Sequence, residues 1–458
     1  MNLKKILFSL IAVLFSASAL YAGDYASYYT GLPLNLPEPQ APAIPDTRVN
    51  IADFGAVGDG ISMNTEAFAA AVKALEKLGG GHIDVPAGMW LTGPIVLKDR
   101  MDLHVGRNAI VLFSPDKTDF LLDGKVQPCI GASKRSDISI TGDGILDGNG
   151  QYWRAVKRSK VSEVEWKDFR RMGGTVTPDE KLWYPFNLNQ YPNIAGDYKN
   201  QEKMRTHMIR FTECERVLIK GVTVQNSPKF HLIPTRCRNV IVDGVTVRCP
   251  WNAQNGDGID FSCCQDVLVV NCTVDVGDDG ICLKAGDGEA AAKACPPIAR
   301  VLICDNTVFH AHGGFVVGSE FSAGVEDVVV CRNVFSGTDT GLRFKSGPGR
   351  GGKTSRIYIY DIIASAIRES AVVFETSYAD VPVGRSAKTA NTAEWLPEFT
   401  DIHISRMTCR EARTGIFARG TKEMIHDITL EDCVFSQCAD KAMDVPDMSM
   451  IKMNRVRF

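Results

Sequence analysis

Val217-Leu-Ile-Lys-Gly-Val-Thr-Val224 is followed by two close copies of itself, VIVDGVTV at 240–247 and VLVVNCTV at 267–274. Each copy holds two short apolar strands around a Gly or Asn turn. A Rossmann or barrel fold would require a helix between successive strands, but no helical pattern separates the copies. Repeats that cannot bury their own apolar face are typical of a solenoid. The sequence therefore predicts an all-β, right-handed parallel β-helix. Further copies begin at Ile138, Val301, Val328, Ile357, Ile402 and Ile428.

An amphipathic helix is predicted ahead of the repeats, between Asn64 and Gly79. Its apolar residues recur with the 3.6-residue helical period. Asn64 is a suitable N-cap and Gly79 a suitable stop. Because the helix precedes the coils, we expect it to cap the N-terminal end of the solenoid. The apolar stripe consists of Phe68, Ala71, Val72, Leu75 and Leu78.

Three further segments flank or interrupt the repeats. Residues 1–22 have the form of a signal peptide, with two lysines, an apolar run too short to span a bilayer, and small residues at the end. Residues 23–48 are proline-rich and predict an extended strap. Residues 49–458 form the predicted catalytic β-helix, which a long excursion at about 150–208 leaves and rejoins. We expect an exported, periplasmic or secreted protein with no membrane association after removal of the signal peptide.

The composition limits the possible partners. The 458 residues carry a net charge of −3, which excludes the strongly basic profile of a nucleic-acid-binding protein. An anionic partner must therefore be held by a local cluster of cations. We expect a monomer without cofactors.

The fourteen cysteines do not form an obvious disulfide framework. Cys214, Cys237 and Cys264 occupy a repeat position that later copies fill with Ile, Val or Phe. Such a position is a buried apolar column, where a free thiol behaves as a small hydrophobe. Cys304 and Cys331 share an outward-facing column instead, and they are the pair expected to bridge if any pair does.

Four polar signatures lead into apolar strands in the middle of the chain. Aligned on the glycine that opens each strand, the two preceding positions collect acidic residues and a histidine. Adjacent coils of a parallel β-helix lie about 4.8 Å apart, so these side chains would share a patch roughly one sugar ring wide. The signatures are Asn255-Gly-Asp257, Asp278-Asp279, His312-Gly-Gly and Arg343-Phe-Lys345, and the opening glycines are Gly258, Gly280, Gly314 and Gly341.

The patch has the composition of a glycosidase site. Asp beside Gly often only caps a turn. Three carboxylates this close resist joint ionisation, however, and a histidine and two cations fall in the same stack. Inverting glycoside hydrolysis needs one carboxyl as acid and one to activate water, roughly 6.5–9.5 Å apart. Diagonal aspartates on adjacent coils are suited to that separation.

The neighbouring polar residues suggest how the site would work. His312 lies in the column of Asp278 and is placed to set the protonation of that carboxyl. Arg343 and Lys345 both point outward from one strand, where they would bind a substrate carboxylate. Lys284 shares the column of Lys345 and is a further candidate cation.

The segment Gly347-Pro-Gly-Arg-Gly-Gly-Lys-Thr354 matches the P-loop pattern. A P-loop requires a helix directly afterwards, whose N-terminus faces the phosphates. This segment leads into the strand pattern Arg356-Ile-Tyr-Ile-Tyr-Asp361 instead. We therefore expect no nucleotide binding.

The four signatures, in this order, resemble those of glycoside hydrolase family 28, the polygalacturonases. The resemblance runs from Asp53-Phe-Gly-Ala56 to the C-terminus and includes Asn226-Ser-Pro-Lys-Phe-His231-Leu232. It implies a pectin-lyase-like β-helix and an inverting hydrolase, independent of metal, that cuts α-1,4-galacturonosyl linkages in pectin. Gly256 stands where Thr is usual, as in exo-acting bacterial members, and Ala311 stands where Gly is usual.

The resemblance also implies individual roles. Asp278 would be the acid, Asp257 and Asp279 would hold the water, and His312 would tune the acid. The substrate-binding residues would be Asn255, Arg343, Lys345 and Tyr378, with Lys284 as an additional candidate.

Other functions remain open from the sequence. A pectate-lyase-like β-helix would act on the same polymer by calcium-dependent β-elimination. A non-catalytic glycan-binding solenoid would bind sugar without cleaving it. Within the resembling family, rhamnogalacturonan or xylogalacturonan is an alternative substrate to homogalacturonan.

Overall fold

The computed structural model describes residues 25–187, 204–378 and 395–458. Its parallel strands coil around one axis and form three faces, which we call the back, side and cleft sheets. The prediction of a parallel β-helix is confirmed, and the repeats stack in register: Val217 pairs with Val240, which pairs with Val267. The predicted signal segment, 1–22, lies outside the described residues.

The back sheet contains the first half of each repeat. Its strands are Arg48–Asn50, Gly81–Val85, Met101–Val105, Ser136–Gly142, Glu215–Lys220, Arg238–Asp243, Gln265–Val270, Ile298–Cys304, Val325–Cys331, Lys353–Tyr360, Glu398–Phe399, Ile402–Ser405, Ile428–Glu431 and Ile451–Asn454. The P-loop-like segment thus continues as the strand Lys353–Tyr360, without the helix that a P-loop needs.

The side sheet contains the second half of each repeat. Its strands are Gly88–Thr92, Ala109–Phe113, Ile145–Asp147, Thr223–Gln225, Thr246–Arg248, Thr273–Asp275, Thr307–Phe309, Val334–Ser336, Ile363–Ser365 and the first parts of Thr408–Arg419 and Val434–Asp444.

The cleft sheet carries the candidate site. Its strands are Ile95–Val96, Ile130–Ser133, Ile209–Thr212, Ile259–Ser262, Ile281–Lys284, Phe315–Gly318, Leu342–Lys345, Ser370–Glu375 and the second parts of Thr408–Arg419 and Val434–Asp444. Single bridges at Leu232 and Thr235 carry the pairing from Ile209–Thr212 to Ile259–Ser262. Period-2 alternation sends one residue of each pair into the core and the next out to the cleft.

The helix Thr65–Leu78 lies at the N-terminal end of the coils. Phe68, Ala71, Val72 and Leu75 are buried against the first strands, and Gly79 ends the helix with a left-handed backbone. Two details of the prediction were wrong. Leu78 is 62% exposed at the last residue of the helix. The Asn64 side chain does not cap the helix, because its amide oxygen accepts from the Val57 backbone N–H at 2.7 Å.

The segment before the first strand packs on the outer surface of the back sheet. Tyr25 and Leu36 are buried there against Ile241 and Leu302. The Tyr25 hydroxyl donates to Asp243 at 3.0 Å, and the short 3₁₀ turn Ala26–Tyr29 lies over the same surface. The segment therefore covers an outward apolar column that would otherwise face water.

This cover explains the state of two cysteines. Cys304 and Cys331 are neighbours in register, yet both are free buried thiols, so the expected bridge between them is wrong. Their outward column is part of the apolar contact beneath residues 25–41, where a thiol packs like any small hydrophobe. Cys214, Cys237 and Cys264 are buried and free, as predicted.

A disulfide links Cys263, at the end of a cleft strand, to Cys295, just after the helix Glu289–Ala294. It closes a loop of the chain that contains the Asp278-Asp279 turn and Lys284. Repeat alignment did not indicate this pair, because Cys295 lies in an irregular loop with no equivalent in other coils.

The described part of the excursion, residues 150–187 and 204–208, forms a small layer beside the cleft. It contains the helix Glu163–Arg171, which begins with a capping box at Ser162. Its strands Val156–Lys157, Thr175–Val176 and Leu182–Tyr184 pair antiparallel. The remaining short elements of the fold are the antiparallel pair Leu121–Leu122 and Lys125–Val126 and the 3₁₀ turns Ile51–Phe54, Lys117–Phe120, Gly150–Tyr152, Arg158–Lys160 and Met448–Met450.

No helix among the described residues is long and apolar enough to cross a membrane.

Candidate active site

Four cleft strands bring the sequence signatures together in the predicted order. Ile259 pairs with Ile281, Ile281 with Phe315, and Phe315 with Leu342. The glycines that open these strands permit close stacking: a Cβ on Gly314 would lie 2.3 Å from the Phe335 ring. The turns before the strands therefore place their polar residues in adjacent layers of one cleft.

Asp278 and His312 form the first contact of the site. The His312 Nδ1 lies 3.0 Å from the Asp278 Oδ1, and the Asp279 backbone N–H donates to the same oxygen at 3.1 Å. Burial raises the pKa of Asp278, but the hydrogen bond from His312 and the charges of Lys345 and Lys284 outweigh it and leave the pKa below its usual value. In the empty cleft Asp278 is therefore a carboxylate.

Asp279 faces the two cations of the fourth signature. Its Oδ2 accepts from Lys345 Nζ at 2.8 Å, and its Oδ1 lies 3.4 Å from Arg343 Nη1. Burial opposes the charged carboxylate, yet the charge of Lys345 and then that of Arg343 hold the pKa of Asp279 below its usual value. Asp279 is thus ionised and buried, the state required of a general base.

Asp257 belongs to a third cluster with Lys284 and Asp260. The Lys284 ammonium donates to Asp257 at 3.0 Å and to Asp260 at 2.6 Å. Burial raises the pKa of Asp257 well above its usual value, and it raises the pKa of Asp260 to about 6. One ammonium cannot neutralise two buried carboxylates, so one of the pair retains a proton.

Asp260 was missed by sequence reasoning. It is fully buried in the cleft sheet, one position after Ile259. The signal was present, because an aspartate at an outward strand position needs a partner, and Lys284 lies on the same face of the paired strand, two residues beyond the position opposite Asp260. The predicted substrate contact of Lys284 stays a prediction; in the free protein its ammonium binds the two carboxylates.

Asn255 is held from outside its own turn. Its side-chain oxygen accepts from Arg205 Nη2 at 2.7 Å, and Arg205 also donates to the Gln254 carbonyl at 2.8 Å. Arg205 lies at the returning end of the excursion, where no periodicity marks it, so the sequence did not single it out.

His231 supports Asp257 from beneath. Its Nε2 accepts from the Ser227 N–H at 3.2 Å, which leaves Nδ1 to donate to the Asp257 carbonyl at 2.8 Å. Burial lowers the pKa of His231 to about 4, so it remains neutral and structural.

Tyr378 closes the opposite side of the site. Its ring centroid lies 5.7 Å from the Arg343 guanidinium carbon and 5.2 Å from Lys345 Nζ. A cavity beside Asp279 is lined by Thr340, Arg343, Lys345 and Tyr378. The rest of its wall consists of Glu369, Ser370, Val373, Glu375 and Phe417.

The excursion contributes directly to the cleft. Arg154 anchors it by donating to Asn226 at 2.7 Å and to the Ser227 carbonyl. Further along, Lys160 Nζ lies 3.0 Å from His312 Nε2 and 3.1 Å from the Gly277 carbonyl. No sequence signature pointed to Lys160.

Three side chains lie close enough to suggest a metal site. Asp278, Asp279 and His312 each offer one ligand atom within 4.8 Å of the others. Lys345 and Arg343, however, already contact both oxygens of Asp279 and place two positive charges there. A metal ion at this position would have to displace these cations, so the arrangement does not suit a metal site.

Comparison with known proteins identifies the family of this chain. The family model described as glycosyl hydrolases family 28 matches residues 187–447, which is more than half of the chain. The chain belongs to glycosyl hydrolases family 28. The matched region contains all four signatures.

Similar proteins carry related names. This family 28 chain is 31% identical to an exo-poly-alpha-D-galacturonosidase of Dickeya chrysanthemi, in a match covering 72% of the chain and 57% of that relative. It is 30% identical to a probable polygalacturonase of Vitis vinifera, covering 68% of the chain and 59% of the relative. The chain thus spans less than three-fifths of the length of these two relatives.

One solved structure matches along almost its whole length. It is the hyperthermoactive exopolygalacturonase of Thermotoga maritima, with a TM-score of 0.72 and 28% identity, covering 92% of this family 28 chain and 94% of the other.

Proposed function

We propose that this chain hydrolyses α-1,4-galacturonosyl linkages of pectic polymers with inversion, and that it removes units from a chain end. The observation that carries the proposal is the contact of Lys345 and Arg343 with Asp279. It places one buried and one half-buried cation beside paired carboxylates, which is an arrangement suited to an anionic sugar. The names of the relatives support the same substrate.

The ionisation states give each carboxyl a task. Asp278 donates a proton to the glycosidic oxygen as the bond from C1 to that oxygen breaks. Water attacks C1 from the opposite face and gives its proton to Asp279, which Lys345 keeps ionised. Asp257, whose pKa burial raises, orients the water and does not act as base. The balance is one water consumed and one linkage cleaved.

Substrate binding would favour protonation of Asp278, which the acid step needs. In the free protein the His312 hydrogen bond and the Lys345 charge keep Asp278 ionised despite burial. A galacturonate carboxylate bound by Arg343 and Lys345 offsets those positive charges. The pKa of Asp278 then rises, because burial opposes its charged form.

Action from a chain end follows from the excursion. Lys160 and the strands around it lie against the flank of the cleft formed by Gly277 and His312. We infer that this wall blocks the groove on the side of the earlier coils. The bound polymer would then extend only toward the coils that follow Arg343.

Export is part of the proposal. The Cys263–Cys295 disulfide suits an oxidising compartment. A polymer outside the cell would also require an exported enzyme.

The test is an assay on polygalacturonate with purified protein and excess chelator. Hydrolysis predicts new reducing ends without the ultraviolet absorbance of an unsaturated product, and no loss of rate with chelator. Asp278→Asn should lower turnover by about 10³-fold or more while the protein stays folded. Unsaturated product would identify a lyase. Binding without cleavage would identify a glycan-binding solenoid.

A further inference from the structure

Lys160 is a half-buried residue that contacts the cleft and is not part of the four signatures. It ends the 3₁₀ turn Arg158–Lys160, in the part of the excursion between the anchor at Arg154 and the helix Glu163–Arg171. Its ammonium reaches two atoms of the catalytic turns, the Gly277 carbonyl at 3.1 Å and the His312 Nε2 at 3.0 Å.

We propose that Lys160 is a positioning residue that holds His312 as the neutral tautomer with its proton on Nδ1, an inference that rests on the proposed hydrolase function. An ammonium has three donors and no acceptor, so the His312 Nε2 must accept from it. The single imidazole proton is then on Nδ1. That atom faces the Asp278 Oδ1 at 3.0 Å.

The groups around His312 show what Lys160 prevents. Asp278 faces Nδ1, while Asp339 lies 3.8 Å from Nε2 and has Arg368 3.6 Å from its other oxygen. Without Lys160, the imidazole would lie between two carboxylates and gain a second proton.

The consequence concerns the acid. An imidazolium 3.0 Å from Asp278 would hold it as a carboxylate even after substrate binds. A neutral imidazole donates one hydrogen bond and leaves the carboxyl able to take its proton. Burial lowers the pKa of Lys160, and the nearby Asp278 opposes that shift, which supports a charged ammonium at mildly acidic pH.

The experiment compares Lys160→Met and Lys160→Arg with Lys167→Met, which removes the same charge from an exposed position on the same excursion. The imidazole nitrogens are observed by NMR in protein labelled with ¹⁵N-histidine, with the His312→Gln variant used for assignment. The dependence of kcat on pH is measured on galacturonate oligomers.

The proposal predicts an unprotonated Nε2 on His312 in the wild type and in Lys167→Met. In Lys160→Met, Nε2 should be protonated near pH 6, and kcat should fall about tenfold or more. The basic limb of the profile of kcat against pH should move about one unit to lower pH. Lys160→Arg should restore most of the rate and the wild-type limb.

Three results would overturn it: a protonated Nε2 in the wild type, an unchanged Nε2 in Lys160→Met, or a rate loss without movement of the limb. The last would mean that Lys160 has only a structural role. If Lys160→Met does not fold, Lys160→Gln takes its place. A wild type inactive on galacturonate oligomers would reject the proposed function, whereas the NMR comparison would still decide the role of Lys160.

Discussion

Asp278 has a different protonation state in the empty cleft from the one that catalysis needs. His312 and Lys345 lower its pKa although burial would raise it. The acid step requires the proton that these neighbours disfavour. In the proposed function, a substrate carboxylate that binds Arg343 and Lys345 would reverse this balance.

This reasoning predicts two different pH limits. The basic limb of kcat/KM reports the Asp278 pKa in the free protein, and that of kcat reports it in the complex. The pKa is lowered in the free protein and rises when the uronate offsets Lys345, so the limb of kcat should lie about one unit higher. Methyl-esterified oligomers lack the carboxylate and serve as the control, with limbs that nearly coincide.

Coinciding limbs on the unesterified oligomers would contradict this account of the acid. A separation of equal size on the ester would show that burial by substrate, and not neutralisation of Lys345 and Arg343, raises the pKa.

Most of the site could be predicted from the sequence, because residues at the same position of successive repeats lie next to each other on adjacent coils. Asp278 and His312 occupy one column, and the structure places them 3.0 Å apart. Lys160 and Arg205 were not predicted, because they belong to the excursion, which contains no repeat that could be aligned. The ionisation states of the carboxyls could not be predicted either, since they depend on burial and on nearby cations in the folded cleft.

The strands were predictable for the same reason that the columns were. Each coil from Val217 onward pairs with its predicted partner. Loops between coils follow no such rule, and the disulfide illustrates the limit. Cys304 and Cys331 looked suited to a bridge only while the apolar cover of residues 25–41 was unknown, whereas Cys295 lies in a loop that alignment cannot place.

The Cys263–Cys295 bridge predicts a measurable dependence on redox conditions. It closes a loop of 32 residues, and such a bridge typically adds about 2–4 kcal/mol by restricting the unfolded chain. We expect a reductant to lower the urea midpoint of the wild type. The double variant Cys263→Ser, Cys295→Ser should start from the lower midpoint and show no response to reductant.

A wild-type midpoint that is insensitive to complete reduction would contradict a stabilising role for the bridge. A response to reductant in the double variant would instead implicate other cysteines.

The back and cleft sheets of the solenoid have different roles in the whole molecule. The back sheet packs outward against residues 25–41, which bury its apolar column. The cleft sheet presents the carboxylates, and the excursion lies against one flank of them through Lys160. A groove open in one direction only would give access to the end of a polymer and not to its middle.

Inverting hydrolysis from a chain end can be tested on the first product released from polygalacturonate. Proton NMR during the first minutes of digestion, before the anomers equilibrate, reports both the size and the configuration of that product. Inversion at an α-linkage predicts monomeric galacturonate as the β-anomer from the start, with slow loss of viscosity. A first product in the α-configuration would contradict inversion, and mixed oligomers with a rapid fall in viscosity would contradict action from a chain end.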